Sequence, residues 1–121
     1  MLNFPATVRV FVARQACDMR KSFDDLSAMV ADAVGEDPQS GHVFVFFNRV
    51  RTMVKCLIWD RSGYWIFSKR LERGVFKVFD RQDKHPARYE MSSTDLALIL
   101  DGIDRRGARR RSSLEEFRHN S

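Results

Sequence analysis

Residues 8–13 read VRVFVA, a β-branched and aromatic run that predicts a first strand. The period then changes. Phe23, Leu26, Val30 and Ala33 recur at helical spacing while Asp24, Asp25 and Asp32 face away, so residues 22–34 predict an amphipathic helix. Ser22 and Asp25 form a capping-box pattern at its start, and Gly35 marks its end. GEDPQSG, residues 35–41, is a loop, because Pro38 drives Asp37 out of helical geometry. Four runs follow: HVFVFF (42–47), MVKCLIW (53–59), YWIFSKR (64–70) and VFKVF (75–79), joined by connectors of four or five residues. Short connectors between such runs predict an antiparallel meander. On the second run Met53, Lys55, Leu57 and Trp59 share one face and Val54, Cys56 and Ile58 the other, so both faces of the sheet need cover. SSTDLALILDG predicts a second helix from 94 to about 101, capped by Ser92 or Ser93, with Gly102 past its end. The expected fold class is α+β: an antiparallel β-meander of about five strands packed with two helices.

Residues 80–88 read as a polar connector, and beyond Asp104 the chain turns basic and loses periodicity. The expected organisation is one domain over 1–104 and a disordered basic tail over 105–121. The chain has 121 residues, 44% of them hydrophobic with ten Phe and two Trp, enough for one core and too few for separate cofactor and substrate domains. Cys17 and Cys56 give no disulfide framework and no zinc-ligand spacing. No run approaches about 18 apolar residues, and Arg9 interrupts any signal-peptide core, so the expected setting is cytoplasmic and away from membranes.

The net charge of +5 is unevenly distributed. Residues 48–67 carry four bases against Asp60 alone, 68–88 carry seven bases against three acids, and residues 89–103 carry three acids and no base. A polyanion responds to such local fields, which points to nucleic acid. Arg49, Arg51, Lys69, Arg70, Arg73 and Lys77 are the expected phosphate contacts, with Arg20 and Lys21 as additions. The 48–52 loop and the 71–74 turn belong at one end of a meander and the 60–63 turn at the other, which separates Arg61 from the rest; ordinary solvated turn charges are the competing reading. Tyr64, Trp65 and Phe67 suit base stacking or a core, and the tail arginines 105, 106, 109, 110 and 111 suit nucleic acid, an acidic partner or mere solubility.

Catalysis has thinner support. Asp18, Asp24, Asp25, Asp60 and Asp95 contain carboxylates for a metal-dependent nuclease, yet Asp24, Asp25 and Asp95 fall in first helical turns and Asp60 opens a DRSG turn. His42, His85 and His119 lack metal-ligand spacing, Cys17 has no adjacent base, and no phosphate-binding glycine loop occurs. No catalytic residue, metal or cofactor is assigned.

DMRKSFDDL (18–26), SGHVFVFFNR (40–49), the spaced Lys55, Leu57, Trp59, Asp60 and Gly63, then F-x-KRLERGVF (67–76) and LALILDGID (96–104) together resemble the TnpB-type second-open-reading-frame protein of the IS66 insertion-sequence family. The resemblance covers nearly the whole chain to Asp104; it departs at KVFDRQDKHPAR after Phe76 and in the arginine-rich tail. It implies a noncatalytic accessory subunit of DNA transposition, acting in bacteria beside a separate, larger transposase that carries the catalytic acids. The implied partners are DNA, as transposon ends or nonspecific duplex, and that transposase, with self-association left open. The alternative is a protein–protein interaction module without DNA contact, motivated by the acidic face of the 22–34 helix.

Overall fold

The computed structural model describes residues 4–78 and 84–102. Five strands form one sheet: β1 (Val10–Ala13), β2 (Val43–Phe47), β3 (Met53–Asp60), β4 (Gly63–Arg70) and β5 (Arg88–Met91), in the spatial order β4-β3-β2-β1-β5. Every neighbouring pair is antiparallel except β1 and β2, which run parallel with Phe11 beside Phe44. A parallel pair cannot close through a tight turn, and the helix between the two strands provides the crossover. The fold class is thus α+β, a mostly antiparallel sheet with two helices, as the pattern predicts.

That crossover is α1 (Phe23–Met29) continued by a π-helical turn, Val30–Val34. Gly35 ends it in the left-handed conformation at φ 76°, with its N–H on the Val30 carbonyl. The wider turn shifts the inward face by one residue: Leu26, Val30 and Val34 are buried, whereas Ala33 is exposed. Phe23, expected on the apolar face, is also exposed. The capping box at Ser22 does not form, since the Ser22 side chain makes no capping bond. The second helix, α2 (Ser93–Leu100), is capped as expected, its Ser92 side chain accepting from the Asp95 N–H at 3.0 Å.

Alternation along the strands sends side chains to two cores. Phe11, Phe44, Phe46 and Leu57 meet Leu26, Val30 and Val34 of the crossover. Val10, Val12, Val45, Val54 and Cys56 meet Leu96 and Ile99 of α2 on the other face. Two further expectations fail, both on strands. Residues 75–78 form no strand; they cross the second core as an irregular strap whose Phe76 is almost fully buried. The fifth strand is instead β5, which starts at the last residue of the expected polar connector and runs through 89–91, where no element is expected; its buried Tyr89 and Met91 alternate with the less buried Arg88 and Glu90. The 105–121 tail and residues 79–83 lie outside the described residues.

Candidate nucleic-acid interface

The β2–β3 connection is built around Asn48. Its side-chain oxygen accepts from the Thr52 and Met53 N–H groups, both at 3.0 Å, and its amide nitrogen donates to the Thr52 hydroxyl at 3.0 Å. The loop so braced holds Arg51 at φ 57°, a left-handed conformation that costs an ordinary residue roughly 1–2 kcal/mol. The strap then fastens to the same loop. Leu71 donates its N–H to the Thr52 carbonyl at 2.8 Å and Phe76 donates its own to the Arg51 carbonyl at 2.7 Å. Phe76 packs its ring 5.7 Å from that of Phe47, and Gly74, at φ 72°, turns the chain between the two fastenings.

These contacts bring together exposed Arg49, Arg51 and Arg73 at one end of the sheet, with exposed Lys77 next to the anchored Phe76. The other two expected residues differ. Lys69 reaches away to the Leu100 carbonyl at 2.5 Å, where an ammonium complements the carbonyl end of α2. Arg70 donates to Glu72 at 3.2 Å in an exposed pair. Arg61 sits in the opposite turn, also left-handed at φ 44°, between paired Asp60 and Gly63.

The connection from β1 to α1 lies at the same end, tied there by Cys17 N–H on the Phe47 carbonyl at 2.8 Å. Within it Arg20 donates to Asp18 through Nε at 3.1 Å and Nη2 at 2.7 Å, and those bonds pull the Asp18 carboxyl down to about 2. Lys55 donates to the Lys21 carbonyl at 2.6 Å, pinning this connection to β3. Between the ends of the parallel strands opens a cleft of about 230 Å³, lined by Arg14, Gln15, Asn48, Arg49, Arg51 and Val78 among others. The carboxyl ends of parallel strands are a recurrent place for ligands. Arg14 lines this cleft although the sequence reading does not single it out. Its guanidinium lies 5.0 Å over the Tyr89 ring and donates to the His85 carbonyl at 2.8 Å. Its one sequence signal, a base immediately after a strand, acquires meaning only once β1 is known to run parallel to β2.

The carboxylates do not assemble. Asp18 holds Arg20, Asp60 accepts from the Trp65 indole at 3.3 Å, and Asp24 and Asp25 stand exposed in the first turn of α1. Among the described residues, no group of three or more His, Cys, Asp or Glu side chains stands close enough to hold a metal ion. Burial raises both thiols, Cys56 to about 12, which opposes thiolate formation. No helix among the described residues is long and apolar enough to cross a membrane.

The model of the IS66 Orf2-like protein family matches residues 8–110. The chain belongs to this family. Among its relatives, the uncharacterized protein y4jC of Sinorhizobium fredii (strain NBRC 101917 / NGR234) is 33% identical over 97 residues, 80% of each chain. The uncharacterized protein y4hO of the same strain is 34% identical over 104 residues, 86% of this chain and 88% of that one. No solved structure matches. Membership in the IS66 Orf2-like family points to an accessory role in transposition. Motifs that carried the resemblance hold the basic end together: Asp18 fixes Arg20, Lys55 grips the preceding loop, and Leu71, Gly74 and Phe76 make the strap.

Proposed function

We propose that the chain is a noncatalytic accessory subunit of DNA transposition that holds DNA against the basic end of its sheet and assembles with a separate transposase. The observation that carries this reading is the fastening of Arg49, Arg51 and Arg73 to one end by the bonds from Leu71 and Phe76 to the Thr52 and Arg51 carbonyls. Bases on a braced scaffold lose less side-chain and loop entropy on binding than bases on free loops. Each phosphate they neutralise releases condensed counterions. Arg49, Arg51, Arg73 and Lys77 make the main contacts; Lys69 and Arg70 contribute after exchanging their present partners. Base-specific readout has little support, because α1 displays Asp24 and Asp25 rather than side chains that read major-groove edges.

The test is fluorescence anisotropy of the full chain with a labelled transposon-end duplex and a scrambled duplex at about 50 and 200 mM salt. Comparable, steeply salt-dependent binding to both is expected. Absence of binding to either at the lower salt would discard the DNA contact. It would favour the alternative of a protein-interaction module, for which exposed Phe23 beside Asp24 and Asp25 offers a mixed apolar and acidic surface.

A further inference from the structure

The two edges of the sheet differ. β5 has four residues and carries Arg88 and Glu90, the short and charged form in which edge strands usually discourage pairing. β4 has eight residues and is uncharged from Gly63 to Ser68, with its charges confined to Lys69 and Arg70. Among the described residues nothing pairs with its outer edge. Its N–H and C=O groups therefore form a template about 26 Å long, eight residues at roughly 3.3 Å each.

The side chains along the middle of this edge, from Tyr64 to Phe67, are aromatic or aliphatic. Trp65 is 56% exposed, an unusual state for the largest apolar side chain, and stacks on Phe67 at 6.1 Å with the planes 10° apart. α2 covers part of this face but leaves a groove of about 280 Å³ against β3 and β4, bordered by Phe67, Lys69 and Leu100. The charges of this edge stand at its ends: Lys69 and Arg70 at one, and the Asp60–Arg61 turn, where the two charges cancel, at the other.

We propose that β4 is a self-association strand, pairing antiparallel with β4 of a second copy to give a two-fold dimer with a continuous ten-stranded sheet. A second copy fits because the edge complements itself. Antiparallel pairing sets the Lys69–Arg70 end of each copy beside the partner's Asp60–Arg61 turn, whose charges cancel, and keeps the two Lys69–Arg70 ends apart. A dyad at Ile66 places Trp65 opposite the partner's Phe67 and Phe67 opposite the partner's Trp65, joining two stacked pairs into one aromatic row. Cross-strand aromatic pairs are among the more stabilising contacts in sheets, and an isologous interface gains each of them twice. The basic ends of the two copies then point in opposite directions along the strands. The proposal does not rest on DNA binding, and it is tested without DNA.

The measurement is sedimentation velocity of the full chain at about 5 to 100 µM, a range that brackets weak to moderate dimers. The wild type is expected to sediment as a dimer at the upper end. Trp65→Lys, with unchanged circular dichroism, is expected to weaken association roughly tenfold or more by adding an edge charge and removing the aromatic pair. Ile66→Cys is expected to form a reducible covalent dimer on mild oxidation, whereas Ala28→Cys, on exposed α1, is not; both native thiols are buried. A wild type that remains monomeric throughout, or an Ile66→Cys variant that fails to cross-link, overturns the proposal. Should Trp65→Lys not fold, the Ile66→Cys cross-link decides alone.

Discussion

The two ends of the sheet each hold an arginine in a left-handed turn, yet carry opposite designs. At one end Arg14, Arg20, Lys21, Arg49, Arg51, Arg73 and Lys77 gather around the β1–α1 and β2–β3 connections, with Asp18 and Glu72 each tied to an arginine. At the other, Arg9 is held by Glu90 at 2.6 Å and Arg61 shares its turn with Asp60, while Arg88, reaching from β5, meets Glu36 at 2.7 Å near the end of the crossover. Glu90 raises the Arg9 pKa by hydrogen bond and charge. The ends differ in the number of bases, seven against three, and in the acids beside them, two against three. The strap adds rigidity at the first end alone, because there two backbone hydrogen bonds and a buried phenylalanine fix a loop that already holds a left-handed arginine.

The comparison breaks most visibly under charge reversal. Changing Arg49, Arg51 and Arg73 together to Glu is expected to flatten the salt dependence of duplex binding by about three units of slope. Arg61→Glu at the other end is expected to change it by less than one; equal effects would erase the distinction between the ends. Phe76→Ala tests the fastening. Removing a buried phenylalanine should lower stability by about 3–5 kcal/mol in urea unfolding, and weaken DNA binding beyond what charge explains by freeing the strap. Asn48→Ala leaves the Thr52 and Met53 amides without their acceptor, at a cost of about 1–3 kcal/mol in the same assay.

The smallest effect concerns Asp18, the acid lodged in the basic end. Its carboxyl resonance should titrate near 2, and in Arg20→Ala it should return toward the ordinary value of about 3.9. Because the folded value is the depressed one, whatever stability the pair contributes is present above the ordinary value and lost as pH falls through about 2.

Much of this architecture is legible along the chain, for reasons tied to particular residues. The period of the apolar residues gives β1, the crossover helix and the β2–β3–β4 meander, and Ser92 and Gly102 bound α2 as their chemistry dictates. The position of Arg49, Arg51 and Arg73 at one end follows from counting strands. VFKVF misleads because its β-branched and aromatic composition is that of a strand, whereas Gly74 and the pull of Phe76 into the core turn residues 75–78 into a strap. RYEM conceals β5 because four residues with two charges carry little signal, and pairing with β1 supplies what propensity does not. Lys69 and Arg70 look like free phosphate ligands until the end of α2 and Glu72 are seen to occupy them. The cleft beside Arg14 depends on the parallel direction of β1, a long-range property without a local sequence marker.

The strap also sets a clock. Leu71 and Phe76 lie outside any helix or strand, where backbone amides ordinarily exchange with deuterium within seconds to minutes, yet both N–H groups are bound to carbonyls of the neighbouring loop. Their exchange then reports a single event, the lifting of the strap from Arg51 and Thr52. Slow and equal exchange at these two positions would give the free energy of opening the basic end directly, without any ligand present.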